Sequence, residues 1–298
     1  MKWREVEWPT VGLLLGNYLA WFLLLAVYPL APPLVILLLG LCLAMHLSLQ
    51  HELIHGHPTR SSGFNDLLGS PPIALVYPFP VYKASHLRHH RDEFLTVPGV
   101  DPESFFHTAD EWQHRGTALR ALGWVNMTLL GRLLLNPIHG LMAMAALCLD
   151  QLRHGRNRQR LVWIFHVTGI ALVLWLVVDG FGVPWWAYLI SVHIGHALIS
   201  LRSFFEHRFA QDPEKRIVVV ESCGLFSLLF LYNNYHAVHH KYPGLPWYRI
   251  RSVFQQEAVR LLEKNGGFHY TGYSGWIRYL VTPVASPVYP SMPTDLRN

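Results

Sequence analysis

From Thr10 to Leu30 the chain carries no Asp, Glu, Lys or Arg, and the same holds for Pro33–Leu49, Leu161–Val178 and Pro184–Leu201. An α-helix needs about 20 mostly apolar residues to cross a bilayer. In hydrocarbon the backbone must satisfy its own hydrogen bonds, so such runs commit the chain to helices rather than to an open sheet. Composition agrees: only 14% of the 298 residues are charged, against about 25% in soluble domains. The sequence therefore predicts an all-α integral membrane bundle, one domain over residues 1–298. Its four spans form two pairs, joined by the short turns "YPLAPP" and "DGFGVP". The apolar stretch after "MKWREVEWPT" is too long for a signal-peptide core and lacks a small-residue cleavage site, so it reads as the first span.

Orientation follows from the basic residues. Of 24 Lys and Arg, two precede the first span, eleven lie between the second and third, and eleven follow the fourth. Neither short turn holds one. The positive-inside rule then places both termini and the long middle segment in the cytoplasm. Two further segments are apolar but are expected not to cross. Leu133–Asp150 is interrupted by Pro137 and His139 and flanked by Arg132 and Arg153, and is expected to be interfacial or re-entrant. Leu67–Tyr82 is too rich in proline to span and is expected at the membrane surface. The net charge of +5 sits beside these spans and gives no reason to expect nucleic acid as a partner. Cys42, Cys148 and Cys223 show no paired spacing, so no disulfide framework or zinc ribbon is implied.

Histidine is the unusual residue, with 19 copies, as many as Asp and Glu together. Three clusters stand out: His51 and His55 in "HELIH", His86, His89 and His90 in "HLRHH", and His236, His239 and His240 in "HAVHH". Spacings of i, i+3 and i+4 bring imidazoles to one helix face. The charge count puts all three clusters on the cytoplasmic side, next to the membrane. A ninth histidine, His207 in "LRSFFEHRF", falls just past the last span. Zinc sites close with four ligands, and catalytic ones use about three plus water. Eight or nine imidazoles exceed that need and point to two ions, with iron or copper as suitable metals. His193 and His196, inside the fourth span, are expected to line a substrate cavity, and His166 to be interfacial.

Two other readings fit parts of the pattern. His51-Glu52-x-x-His55 matches the zinc-protease signature, with Glu52 as general base, but it leaves six clustered histidines unused. A metal carrier needs polar residues along a path through the spans, and the first and third spans hold almost none. Carboxylates near the clusters suit a supporting role, because metal-bound imidazoles donate their other N–H to a carboxylate or carbonyl. Glu52, Asp92, Glu93, Asp101, Glu103 and Glu206 are so placed in the sequence.

The boxes "HELIH", "HLRHH" and "HAVHH", in this order and with four spans arranged two and two, resemble the histidine boxes of the membrane fatty acid desaturase superfamily. That superfamily includes acyl-lipid desaturases, alkane hydroxylases and carotenoid ketolases and hydroxylases. "FFEHR" is similar to the extra histidine that several members supply after the last span, and "HHRDEFLTVPGVDPES" to a stretch that follows the second box in bacterial members. The resemblance implies a helical membrane bundle with a cytosolic cap holding two non-haem irons. It implies oxygen-dependent attack on a lipid C–H bond, with desaturation expected first and hydroxylation or ketolation as close variants. The ligands it implies are His51, His55, His86, His89, His90, His207, His236, His239 and His240. Some members also place an Asn of the last span near the metal. Here Ser203 holds that position, and Asn233 and Asn234 precede the third box, with Asn234 expected beside the ligands. The chain shows no ferredoxin cysteine pattern, flavin fingerprint or fused haem segment. A separate donor, such as an acidic ferredoxin, is therefore expected at the basic cytoplasmic face of a bacterial membrane. The aromatic residues Trp21, Phe22, Trp163, Phe165, Trp175 and Tyr188 are expected either to line an acyl tunnel or to meet lipid.

Overall fold

The computed structural model describes residues 6–290, apart from the side chain of Asp92. Lys2, Arg4 and Arg297, which enter the charge count, lie outside these residues. The described chain is mostly helical. In order it forms α1 (Trp8–Ala26), α2 (Pro32–Ile54), α3 (Ser62–Gly69), α4 (Phe79–His89), α5 (Ala109–His114) and α6 (Thr117–Asn126). Then come α7 (Leu129–His154), α8 (Asn157–Trp175), α9 (Trp185–Ser203), α10 (Leu225–Leu229), α11 (His236–Lys241) and α12 (Trp247–Lys264). One parallel strand pair, β1 (Val219–Val220) with β2 (His269–Tyr270), aligns Val219 with His269. Two compact units emerge. The first joins Met1–Lys83 with Pro137–Ile199, and the second joins Ala84–Asn136 with Ser200–Asn298.

Among the described residues four helices are long and apolar enough to cross a membrane: α1, α2, α7, and α8 with its continuation to Gly180. Three of the four coincide with predicted spans; the other does not. α7 runs unbroken through Pro137 for 26 residues, so Leu133–Asp150 belongs to one long helix. Its Leu130, Leu134, Ile138, Leu141, Leu149 and Leu152 recur at helical spacing and stay exposed, as a lipid-facing stripe would. The expected fourth span, Pro184–Leu201, coincides with the 19-residue helix α9, which is not among these four. Its two tryptophans and His193, His196 and Arg202 lower its apolarity below that of the others.

In the first unit, α1 and α2 pack as an antiparallel pair started by Pro9 and Pro32, each in the first turn, where a missing N–H costs nothing. Trp21, Leu25, Leu39, Leu43, Val177 and Tyr188 form its core. α9 crosses α2 at glycine. A Cβ at Gly40 would overlap Ile194, and one at Gly195 would lie 3.0 Å from Leu43 Cβ and 3.2 Å from the Gly40 carbonyl. Small residues let two membrane helices approach this closely.

Part of the proline-rich stretch is buried within the protein. Ile73, Ala74, Leu75 and Val76 are buried in the same core. Irregular backbone there needs partners, and side chains of α8 and α9 provide them. Tyr188 donates to the Ile73 carbonyl at 2.6 Å, and His196 and His166 bond the carbonyls of Ala74 and Leu75 at 3.0 and 2.9 Å. His166 is thus buried rather than interfacial, and His196 is a bonded core residue rather than a cavity wall. Trp21 donates to Tyr188, and Trp163 to Gln151, so both are structural. Phe22, Phe165 and Trp175 are exposed.

Apolar clusters organise the described residues of the second unit. One packs Leu95, Val219, Tyr235, Val238, Ile250 and Phe254. A second packs Phe204, Phe205, Val218, Val220, Phe268 and Trp276. A third joins Val97, Phe106, Met127 and Tyr289. α12 is amphipathic and buries Ile250, Phe254 and Leu261 along one face.

Candidate metal centre

Seven of the nine histidines belong to the second unit, and the backbone gathers them by identifiable means. α4 carries His86 and His89 one turn apart and ends beside His90. Residues 217–220 form an extended clamp. Val218 donates to the Glu206 carbonyl and accepts from Ala237 N–H, while Val220 N–H donates to the Asn234 carbonyl. His207 pairs with Ile217 in an isolated antiparallel bridge. One short strand therefore fixes both the exit from α9 and the start of α11. Leu231 and Tyr232, at φ 50° and 56°, reverse the chain in the left-handed region just before that start. Non-glycine residues adopt this conformation at a cost that surrounding contacts must offset, and such strain is concentrated at functional sites.

Two sets of imidazoles result. His89, His207, His236 and His240 offer ring nitrogens that lie within 4.8 Å of one another, and so do His86, His90 and His239. In the first set the Nε2 atoms of His89 and His207 are 3.0 Å apart, and His207–His236 and His236–His240 each 3.1 Å. In the second, His86–His90 is 3.1 Å and His90–His239 3.0 Å. Ring nitrogens this close can converge on one cation. His51 and His55 stand in the first unit at the end of α2, one turn apart with ring centroids 4.9 Å apart.

Three of the Nδ1 atoms are anchored. Asp101 accepts from His89 at 2.9 Å, Glu103 from His86 at 2.9 Å, and Asn233 Oδ1 from His236 at 3.1 Å. A donor proton on Nδ1 leaves the Nε2 lone pair free to bind a metal. Asp101 is itself held, its carboxylate accepting from the N–H groups of Thr96 and Glu103. Thr96 adopts φ 68° to make that contact. Glu206 lies 3.5 Å from His236 Nδ1 and pairs with Arg202 at 2.7 Å, all three buried.

The electrostatics divide the set. Burial holds His207, His236 and His240 well below the ordinary imidazole range, and neighbouring histidines add to it. Burial and then His86 and His89 take His90 down to about 3. Neutral imidazoles are the form that binds a cation. His89 is the exception: burial lowers it, but Glu103, Asp101 and Glu206 outweigh that and raise it to about 9. Burial would raise the Glu103 carboxyl, yet His89 and His86 hold it below the usual range. His89 and its acids form a charge pair that a metal cation can take over by displacing one proton.

The supporting residues differ from expectation in detail. Glu206 lies near His236. Asn234 donates to the Val220 carbonyl at 2.6 Å, and its neighbour Asn233 reaches His236 instead. Glu93 is exposed, its backbone carbonyl accepting from Arg216. The Asp92 side chain lies outside the described residues. Glu52 is buried at the end of α2 in the first unit. His57 bonds Glu7 at 2.8 Å. Ser203 donates within its own helix, to the Ser200 carbonyl. Arg202 carried no signal of its own in the sequence, and Asn233 was noted only as preceding the third box.

These features meet their counterparts in known proteins. The fatty acid desaturase family matches residues 28–272, and the chain belongs to that family. It is also similar to a ceramide hydroxylase of Caulobacter vibrioides (strain NA1000 / CB15N). That relative is 28% identical over 273 residues, which cover 77% of this chain and 72% of the relative. The chain is accordingly an integral membrane protein of a superfamily of lipid oxidoreductases. "HELIH" thereby loses its protease meaning.

Proposed function

We propose that this protein is a dioxygen-dependent, di-iron oxidoreductase that hydroxylates the acyl chain of a membrane lipid. The observation that carries this reading is the pair of convergent imidazole sets, with Asp101 on His89 Nδ1 in one and Glu103 on His86 Nδ1 in the other. His89, His207, His236 and His240 hold one iron. His86, His90 and His239 hold the other, together with His51 and His55, whose inclusion rests on the order of the three boxes. When bound, the two irons supply dioxygen activation for attack on an unactivated C–H bond. The protein's residues do the rest. Asp101, Glu103 and Asn233 orient the imidazoles, Glu206 with Arg202 supports His236 from behind, and the buried setting of the ligands excludes water.

Similarity to a ceramide hydroxylase favours hydroxylation and a lipid with an amide-linked chain as substrate. The family match equally supports desaturation as a second outcome at the same site. Lipids of cells with and without the protein, compared by mass spectrometry, separate the two. Hydroxylation adds about sixteen mass units and desaturation removes about two. His89→Ala and His239→Ala are expected to abolish either change, and turnover retained by both variants would refute the ligand assignment.

Both termini and the histidine sets lie on the cytoplasmic side in this reading, in a bacterial cytoplasmic membrane. Arg153, Arg156, Arg158 and Arg160 crowd the α7–α8 turn. The positive-inside rule keeps that turn cytoplasmic, so α7 lies along the membrane while α8 and α9 form the second crossing pair. Electrons come from a separate donor, such as a ferredoxin, docking on the basic face.

A further inference from the structure

Three neighbouring elements of the second unit leave large apolar side chains exposed. The segment Ser274–Val281 exposes Ile277 at 69% and Val281 at 72%. α10 exposes Leu225 at 71% together with Leu228, and the start of α7 exposes Leu130 and Leu134. The three are physically joined. Leu130 N–H donates to the Leu280 carbonyl at 3.0 Å, and the Phe226 ring meets Tyr273 at 5.6 Å. Six large apolar residues on contiguous elements exceed the scattered exposure normal for a water-facing surface.

The same segment is fixed on its inner side. Trp276 is buried and lies against Phe205 with centroids 4.1 Å apart, and Tyr279 meets Phe205 at 5.4 Å. Phe205 directly precedes Glu206 and His207. One face of the segment thus grips the stretch that carries a histidine of the site, and the opposite face is apolar and uncovered. Arg278 lies between Ile277 and Tyr279, its guanidinium 4.7 Å from the Tyr279 ring, exposed and placed to reach a lipid phosphate.

We propose that Ser274–Val281, with α10, is a membrane-contacting strap. Its Ile277, Val281 and Leu225 side chains enter the lipid interface and seat the Phe205–His207 stretch against the bilayer surface. The occupant is lipid rather than a second protein because the patch continues into α7, one of the helices apolar enough for the membrane itself. A basic residue flanking apolar side chains is the pattern of interfacial anchors. The inference does not depend on which reaction the site performs.

The test places single cysteines at Ile277, Val281 and Leu225, with Glu263 on α12 as an exposed control, in a background lacking Cys148 and Cys223. Each is spin-labelled in the full-length protein in vesicles of phosphatidylcholine and phosphatidylglycerol. Relaxation by oxygen should exceed relaxation by a water-soluble nickel chelate at the three strap positions, and the order should reverse at Glu263→Cys. Nickel-dominated relaxation at Ile277→Cys and Val281→Cys would overturn the proposal, and so would protection from both reagents, which marks a protein-covered face. As a check that needs no bulky label, Ile277→Cys should resist an impermeant maleimide in vesicles and react after solubilisation. Reaction at the rate of Glu263→Cys in vesicles would count equally against the strap.

Discussion

Asp101 shows how much of the site rests on one side chain. Its carboxylate accepts from His89 Nδ1 and from two backbone N–H groups, and it is buried. Replacing such a partner of a metal-binding imidazole typically lowers metal affinity about 10–100-fold. Asp101→Asn and Asn233→Leu are expected to fall in that range in equilibrium iron titrations of purified protein. Asn234→Leu loses a bond to the Val220 carbonyl instead, and should reduce thermal stability more than iron affinity. Equal affinity losses at Asn233 and Asn234 would show that the two amides are not distinguished as the structure has them. The ligand histidines were legible in the sequence because i, i+3 and i+4 spacing is a property of the helix that carries them. Asn233 was not, because its reach to His236 depends on the left-handed turn at Leu231 and Tyr232, which no residue type announces.

Elements were legible where apolar length decides and obscure where tertiary bonding does. α1, α2 and α8 follow directly from uncharged runs. α7 was expected as an interfacial or re-entrant helix over Leu133–Asp150 and is longer, Leu129–His154, because Pro137 is carried within it rather than breaking it. The burial of Ile73 to Val76 within the protein was not legible, because proline argues correctly against a helix but says nothing about packing. That burial depends on Tyr188, His196 and His166 reaching the stretch's carbonyls from far along the chain. Leaving such a carbonyl unpaired costs about 1–3 kcal/mol. His196→Leu and Tyr188→Phe should therefore lower the melting temperature in detergent while iron content per folded chain stays unchanged. Loss of iron with unaltered melting would instead make His196 part of the site. At the α2–α9 crossing, Gly40→Leu forces the helices apart at Ile194, and overpacking of this kind costs about 1–3 kcal/mol. Gly12→Leu, with nothing within 4 Å of its Cβ, should be neutral in the same melt.

At the scale of the whole molecule, each unit is assembled from two separated stretches of chain, and the second contains one complete four-histidine set. A contiguous reading of the sequence predicts one domain and does not reveal this partition, since apolar runs locate spans but not the clusters formed around Leu95, Phe205 or Val97. The proposed side of the membrane and the proposed electron donor rest on the distribution of basic residues and not on the fold. The central claim is that the histidines form a two-iron site, and metal analysis of purified, iron-supplied protein addresses it most directly. The account predicts two irons per chain, falling to one or fewer in His236→Ala. One zinc per chain and no iron would contradict it.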